Sequence, residues 1–186
     1  MGHYMKSCGS GLFQKLFIET FYGKCYFHHI DFPADGVREE DMMGETETML
    51  KIFLAEDEIV MREGIRNNIA WQEEGFEFVG EASDGELAYP MIQKLKPDIL
   101  ITDIRMPFMD GLELSRIVKQ ELPDTSILIL SGYGEFDYAK EAISIGVEDY
   151  LLKPVTSAQL LEAIRRIAEK IYGRRGRQEE TKNEKE

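Results

Sequence analysis

The sequence predicts an α/β protein in which five parallel strands form one doubly wound sheet with five helices. Three observations predict it: short apolar runs, amphipathic runs of about ten to fifteen residues, and strict alternation of the two from Met49 to about Tyr172. Alternation of this kind is typical of repeated βα units, whose crossover helices keep neighbouring strands parallel. With 43% hydrophobic residues in a chain of 186, one core is expected.

The first two units follow from apolar spacing and turn residues. The first strand is predicted at Leu50–Ala55, and its helix at Glu58–Ile69 carries Ile59 and Ile65 on one apolar face. Gly75 closes the connection to the next strand. By the same criteria the second strand and helix are predicted at Phe76–Ala82 and Glu86–Leu95.

The third and fourth units are bounded by aspartate, glycine and proline. The third strand is predicted at Ile99–Asp103, because an apolar run ends there on a carboxylate and Pro107 prevents its continuation. Asp110-Gly111 opens a helix that ends at about Glu121, before Pro123. The fourth strand and helix are predicted at Ile127–Ser131 and Phe136–Ile145.

The fifth unit is the shortest. Gly146 caps the preceding helix, and the strand Asp149–Leu152 is ended by Lys153-Pro154. A final helix begins at Thr156 or Ser157 and runs to about Tyr172. Its predicted buried stripe consists of Leu160, Leu161, Ile164, Ala168 and Ile171.

The two ends of the chain lack this pattern. Residues 1–48 show no sustained period, and we expect a poorly ordered or non-native extension, with Met42, Met43 or Met49 as alternative starts. Residues 173–186 are charged and contain no apolar side chain, which predicts a solvated tail or linker.

Composition excludes several function classes. The formal net charge of −13 argues against nucleic-acid binding by this chain itself, since such domains need a basic face. No apolar run approaches the roughly 20 residues that span a bilayer, and no signal-peptide pattern is present. The only cysteines, Cys8 and Cys25, lie in the N-terminal extension. A protein of the reducing cytoplasm, without a membrane partner, is expected.

The polar residues at the strand ends predict a site. If the strand order is 2-1-3-4-5, as in flavodoxin-like folds, ligands bind at the carboxyl ends near strands 1 and 3. The residues that follow or end the strands there are Glu56 and Asp57, Asp103, Ser131 and Lys153. Three carboxylates so close together repel one another, and their oxygens are ligands that Mg²⁺ prefers.

This set of groups suits phosphoryl transfer. A carboxylate beside a divalent cation and an ammonium can attack a phosphoryl donor, and the central position of Asp103 makes it the predicted nucleophile. Glu56 and Asp57 are then metal holders. Ser131 is not a hydrolytic nucleophile, because no histidine follows Met49 to act as its base. It is better placed to donate a hydrogen bond to a phosphoryl oxygen.

In this order, five segments resemble the receiver domain of response regulators in two-component signalling. The segments are Phe-Leu-Ala-Glu56-Asp57-Glu58, Ile-Thr-Asp103-Ile-Arg-Met-Pro107, Asp110-Gly111, Leu-Ser131-Gly132-Tyr133 and Asp149-Tyr150-Leu-Leu-Lys153-Pro154. The resemblance covers roughly two thirds of the chain, residues 49–172. The phrase that begins at Ser131 is also similar to receivers that precede AraC-type DNA-binding domains. No such domain lies within the 186 residues.

The resemblance implies a role for each matched position. It implies that Asp103 is the phosphoacceptor, with Asp57 and the backbone carbonyl of Arg105 as direct Mg²⁺ ligands and Glu56 as an outer acidic partner. It implies that Lys153 is the invariant-type lysine. Ser131 and Tyr150 match the switch pair of the family.

The family also implies partners and an output. A sensor histidine kinase, or a small acyl phosphate, would phosphorylate Asp103. The face formed by helix 4, strand 5 and helix 5 would then repack for homodimerisation or partner binding, in transcription control. The chain would be a signalling switch that catalyses only its own phosphorylation and dephosphorylation.

Three other interpretations of the same fold are possible. A Mg²⁺-dependent aspartyl-phosphate phosphohydrolase would need an acid two residues after its nucleophile, where this chain has Arg105. A receiver-like scaffold that is never phosphorylated predicts a broken pocket, whereas every position here holds a competent residue. Flavin binding lacks a phosphate loop, because Glu56-Asp57-Glu58 would repel the phosphate.

Overall fold

The computed structural model of the protein describes residues 17–21, 24–28, 49–132 and 136–183. The chain divides into two compact units, Met1–Thr46 and Glu47–Glu186. None of the described helices is long and apolar enough to cross a membrane.

The N-terminal unit contains a strand pair that the sequence analysis did not predict. Strands β1 (Phe17–Phe21) and β2 (Lys24–His28) pair antiparallel, with Phe17 opposite His28. Both segments contain aromatic residues, which favour strands, but neither alternates apolar and polar side chains along its five residues. The expected lack of order over the rest of residues 1–48 lies outside the described residues.

The second unit is a five-stranded parallel sheet with five helices. Its strands are β3 (Leu50–Ala55), β4 (Phe76–Ala82), β5 (Ile99–Asp103), β6 (Ser126–Ser131) and β7 (Asp149–Leu152). Its helices are α1 (Ile59–Asn68), α2 (Gly85–Leu95), α3 (Gly111–Glu121), α4 (Phe136–Ile145) and α5 (Ser157–Asn183). The sheet order β4-β3-β5-β6-β7 confirms the predicted order 2-1-3-4-5.

The sheet is buried on both faces. Every residue of β5 and β6 is buried, because both strands are central and helices cover each side. One apolar cluster joins the sheet to α1 and α5, and the other joins it to α2, α3 and α4. This two-sided core fixes the strands and so fixes the residues at their carboxyl ends.

Aspartates start the two helices that flank the site. Asp84 Oδ1 accepts a hydrogen bond of 2.8 Å from the N–H of Leu87 at the start of α2. Asp110 Oδ1 accepts one of 2.8 Å from the N–H of Glu113 at the start of α3. These are the N-cap contacts that aspartate makes at helix starts.

The last helix is longer than the sequence analysis predicted. The expected end at about Tyr172 is wrong, since α5 continues to Asn183. Arg174 Nη2 donates to Ser126 Oγ at 2.8 Å, and Arg175 pairs with Asp98. These contacts, and the high helix propensity of Arg, Glu, Gln and Lys, offset the cost of two glycines. The linker role of residues 173–186 stays a prediction.

Candidate functional site: an acidic pocket with a lysine

The site lies at the carboxyl ends of β3 and β5, which are neighbouring strands. Ala55, the last residue of β3, pairs with Thr102, so the following Glu56 and Asp57 come beside Asp103 at the end of β5. The crossovers from β3 and β5 run in opposite directions along the sheet, which opens a crevice at this point. The structure therefore brings together the three predicted carboxylates.

The three carboxylates form one cluster. An oxygen of each of Glu56, Asp57 and Asp103 lies within 4.8 Å of the others. Glu56 is fully buried and Asp103 is 6% exposed, whereas Asp57 is open to solvent. Two fixed carboxylates and an accessible one make an arrangement that a hydrated divalent cation can enter.

Lys153 closes the pocket from the end of β7. Its Nζ hydrogen-bonds Glu56 Oε1 at 3.0 Å and lies 3.0 Å from Asp103 Oδ2. Nζ also lies 2.9 Å from Glu56 Oε2, with which it forms an ion pair but no hydrogen bond. The N–H of Lys153 donates to the Ser131 carbonyl at 2.7 Å, which ties the lysine to the end of β6.

The pKa values of Glu56, Asp103 and Lys153 are all raised above their ordinary values. Burial raises the pKa of Glu56, and the hydrogen bond from Lys153 reverses only part of that shift. Burial likewise raises the pKa of Asp103 against the opposing effect of Lys153. Burial alone would lower the pKa of Lys153, but its bonds to both carboxylates outweigh burial and raise it. The ammonium of Lys153 therefore offsets only part of the cost of burying the two carboxylates. A bound cation would further favour their charged forms.

Ser131 and Tyr150 lie on one face of the sheet. Ile129 of β6 pairs with Tyr150 of β7, and Ser131 follows two residues later on the same face as Ile129. Ser131 is fully buried. The hydroxyl of Tyr150 is buried too, and no described residue hydrogen-bonds it. The serine and the tyrosine are thus diagonal neighbours on adjacent strands.

The loop after Asp103 is held at its end by a close backbone contact. Gly111 N–H donates to the Ile104 carbonyl at 2.9 Å. A Cβ at Gly111 would lie 1.9 Å from the Asp103 carbonyl oxygen, so only glycine fits there. This loop also carries Arg105, whose side chain is exposed.

We expect Gly111→Ala to destabilise the domain by about 3 kcal/mol or more, because the methyl group would overlap backbone rather than a movable side chain. Urea unfolding monitored by circular dichroism measures the effect. Gly64→Ala in α1 is the matched control, since a Cβ there would meet only Asn68 Nδ2 at 3.8 Å. The control should gain up to about 1 kcal/mol from helix propensity. Equal stability of the two variants would contradict the close contact.

One residue near the site was not predicted from the sequence. Arg62 in α1 donates from Nη1 to the carbonyl oxygens of Glu56 at 2.6 Å and Asp57 at 3.3 Å. A basic residue in the second turn of the helix that follows an acidic strand end is the available signal. It is weak, because arginine is common on exposed helix faces.

Comparison with known proteins places the chain in a family. The family model described as "Response regulator receiver domain" matches residues 52–165, which include all the residues of the pocket. The chain belongs to the response regulator receiver domain family.

Curated relatives extend beyond the matched region. The chain is 44% identical over 119 residues to "Uncharacterized transcriptional regulatory protein YesN" of Bacillus subtilis, with 64% of this chain and 32% of that protein covered. It is 42% identical over 112 residues to "Transcriptional regulatory protein HptR" of Staphylococcus aureus, with 60% of this chain and 44% of that protein covered. The chain thus spans less than half the length of these relatives.

Solved structures agree with the fold. The REC domain of AraT, a response regulator from Geobacillus stearothermophilus, matches with a TM-score of 0.65 and 41% identity, over 68% of this chain and 98% of that one. A two component transcriptional regulator AraC from Clostridium phytofermentans matches with a TM-score of 0.61 and 30% identity, over 69% and 98%. Both confirm the predicted resemblance to receivers.

Proposed function

We propose that the chain is a phosphoacceptor receiver that takes a phosphoryl group on Asp103 from a sensor histidine kinase. The observation that carries this proposal is the pocket itself. Asp103 is one of three clustered carboxylates, and its Oδ2 lies 3.0 Å from the ammonium of Lys153. The family membership supports the same interpretation.

The donor set fits Mg²⁺. The pocket holds two buried carboxylates of raised pKa and one exposed carboxylate, against a single ammonium. Asp57, Asp103 and the carbonyl of Arg105 would hold the ion, with Glu56 as an outer partner. When bound, the ion would neutralise charge on the transferring phosphoryl group.

The residues of the chain then have distinct parts in the transfer. An oxygen of Asp103 attacks phosphorus, an O–P bond forms, and the P–N bond of the phosphohistidine breaks with its electron pair going to the imidazole. Ile104 N–H, which donates to Asp103 Oδ1 at 2.8 Å, and Lys153 orient the carboxylate. The ammonium of Lys153 can pair with a new phosphoryl oxygen at the same place.

The product can alter the packing behind it. A hydrogen bond from Ser131 to a phosphoryl oxygen would move the serine toward the pocket. Tyr150 lies on the same face, and its hydroxyl is already buried without a described hydrogen-bond partner. We propose that this pair couples phosphorylation to the face of α4, β7 and α5.

The chemistry of that face supports a role in self-association. Ile143 of α4 is 77% exposed and Leu152 of β7 is 55% exposed. Apolar side chains of this size in water favour an interface. We propose a homodimer on phosphorylation, in a cytoplasmic regulator whose longer relatives are named as transcriptional regulators.

We expect Ile143→Asp to weaken phosphorylation-dependent dimerisation at least about tenfold, because a carboxylate would enter the apolar face. Light scattering after acetyl phosphate treatment measures the dimer, and intact mass checks that labelling is unchanged. Val60→Asp is the control, since Val60 is 78% exposed on α1, which is not one of the three elements of this face. A dimer lost in the control and kept in Ile143→Asp would contradict the assignment.

Intact-mass spectrometry tests the proposed function directly. The chain is incubated with acetyl phosphate or phosphoramidate, with and without Mg²⁺. One added phosphoryl group is expected with Mg²⁺ and none without it. Absence of the adduct with every donor would overturn the proposal and favour a receiver-like scaffold. Continuous release of phosphate would instead favour the phosphohydrolase.

A further inference from the structure

The loop that carries Glu56 and Asp57 is held from outside the pocket by one side chain. Arg62 Nη1 donates to the carbonyl oxygen of Glu56 at 2.6 Å and to that of Asp57 at 3.3 Å. The side chain is only 15% exposed, so it lies against the loop rather than in solvent. One guanidinium therefore contacts the peptide groups on both sides of the Asp57 Cα.

Arg62 is itself held in place by the neighbouring strand. Its Nε lies 3.6 Å from Glu81 Oε1 on β4. Arg66, one turn later in α1, donates to the same oxygen at 2.7 Å. The N–H of Glu56 donates to the Ala82 carbonyl of β4 at 3.0 Å. The acidic loop is thus fixed between β4 and α1 by backbone and side-chain bonds.

We propose that Arg62 is a positioning residue for magnesium binding, and that it acts by orienting the peptide groups of Glu56 and Asp57. The inference rests on the proposed function of the pocket. Asp57 is the exposed member of the cluster, so packing restricts its carboxylate less than it restricts the two buried ones. Fixing the carbonyl on each side fixes the direction of the Asp57 side chain. A guanidinium can hold both carbonyls with Nη1 while its Nε faces Glu81, whereas the single ammonium of a lysine has no second nitrogen for Glu81.

The positioning role and simple charge repulsion predict opposite changes in Mg²⁺ affinity when Arg62 is removed. A guanidinium near a cation site repels the cation, so charge alone predicts tighter Mg²⁺ binding once Arg62 is removed. Positioning predicts the opposite, because a loop that is free to reorient must be ordered when the ion binds. A purely structural role would lower the melting temperature and leave Mg²⁺ affinity in the folded protein unchanged.

The test is calorimetric titration of Mg²⁺ into the unphosphorylated full chain, well below its melting temperature. Arg62→Met keeps the length of the side chain and removes its donors. We expect its Mg²⁺ affinity to be roughly tenfold weaker, as for loss of groups that orient metal ligands. Arg66→Met is the matched control, because it removes the same charge and a partner of Glu81 but no bond to the acidic loop that the structure describes. Its affinity should equal that of the wild type.

Further variants keep the outcomes distinct. Arg62→Lys retains the charge but lacks the second nitrogen that faces Glu81. Its Mg²⁺ affinity should fall between those of the wild type and Arg62→Met, so it also tests the proposal if Arg62→Met does not fold. Equal or tighter Mg²⁺ binding by folded Arg62 variants would overturn the positioning role while leaving the metal site intact. Failure of the wild type to bind Mg²⁺, or equal binding by Asp57→Asn, would overturn the proposed metal site and the inference with it.

Discussion

Asp103→Asn should abolish the phosphoryl adduct while the fold persists. The amide has nearly the shape of the carboxylate, but it lacks the anionic oxygen that attacks phosphorus. The central strand β5 is buried along its whole length, so the change of one terminal group does not disturb it. The measurement is intact mass after acetyl phosphate and Mg²⁺, with peptide mapping of any residual label. We expect at least about a thousandfold loss of labelling rate, the scale seen when a nucleophile is removed.

A matched variant separates loss of the nucleophile from general disturbance of acidic groups. The control is Asp110→Asn at the N-cap of α3, where an asparagine side chain can still accept the hydrogen bond from the N–H of Glu113. It should label like the wild type. Normal labelling of Asp103→Asn would contradict the site assignment, and a label mapped to another carboxylate would relocate it.

Lys153→Met should lose both phosphorylation and stability. The ammonium lies within 3.0 Å of oxygens on Glu56 and Asp103, and its side chain is 19% exposed. Removing one partner of a half-buried ion pair leaves uncompensated charge, which costs about 3 kcal/mol. Losing a cation beside the transferring group should slow labelling by roughly a hundredfold or more. Urea unfolding and the time course of intact mass measure the two effects.

Lys119→Met is the control for the stability effect. Lys119 pairs with Glu148 at 2.8 Å in a similarly enclosed place, with side chains 17% and 12% exposed, away from the pocket. This variant should be destabilised yet label at the wild-type rate. If both lysine variants lost labelling equally, the loss would reflect instability rather than chemistry.

The pH dependence of the Lys153→Met effect has a definite sign. Glu56 and Asp103 have a pKa above the usual carboxyl range in the folded state, so stability without Mg²⁺ falls as pH rises through the range up to those raised values. Lys153 lowers the pKa of both carboxyls, so its removal raises them further and makes the loss of stability with rising pH larger. The difference in unfolding free energy between wild type and variant should therefore be smaller at pH 5 than at pH 8. A constant difference would contradict the coupling.

Most of the fold could be predicted because its signals are local. The strand at Ile99–Asp103 is a continuous apolar run ended by a carboxylate, and the structure gives the same bounds. Asp110-Gly111 predicted the start of α3, and the structure begins that helix at Gly111 with Asp110 as its N-cap. The candidate site could be predicted because each of its polar residues ends or follows a predicted strand.

What could not be predicted depends on contacts between distant parts of the chain. The extension of α5 beyond Tyr172 is supported by Arg174 and Arg175, which bond to Ser126 and Asp98 far away in sequence. The proposed role of Arg62 rests on hydrogen bonds to carbonyl groups, and residue types do not reveal the direction of a carbonyl. The pairing of β1 with β2 could not be predicted because neither strand alternates apolar and polar side chains.

The extended α5 has a further consequence for anything joined to it. Arg174 and Arg175 bond to residues at the amino-terminal ends of the central strands β6 and β5, opposite the pocket. These bonds fix the rotation of the helix about its own axis relative to the domain. Each residue of an α-helix turns the chain by about 100°. One residue inserted after Arg177 would therefore swing a following segment to another side of the domain, whereas a heptad would change its azimuth by only about 20°. The length of the helix therefore sets both the distance and the direction of a following segment.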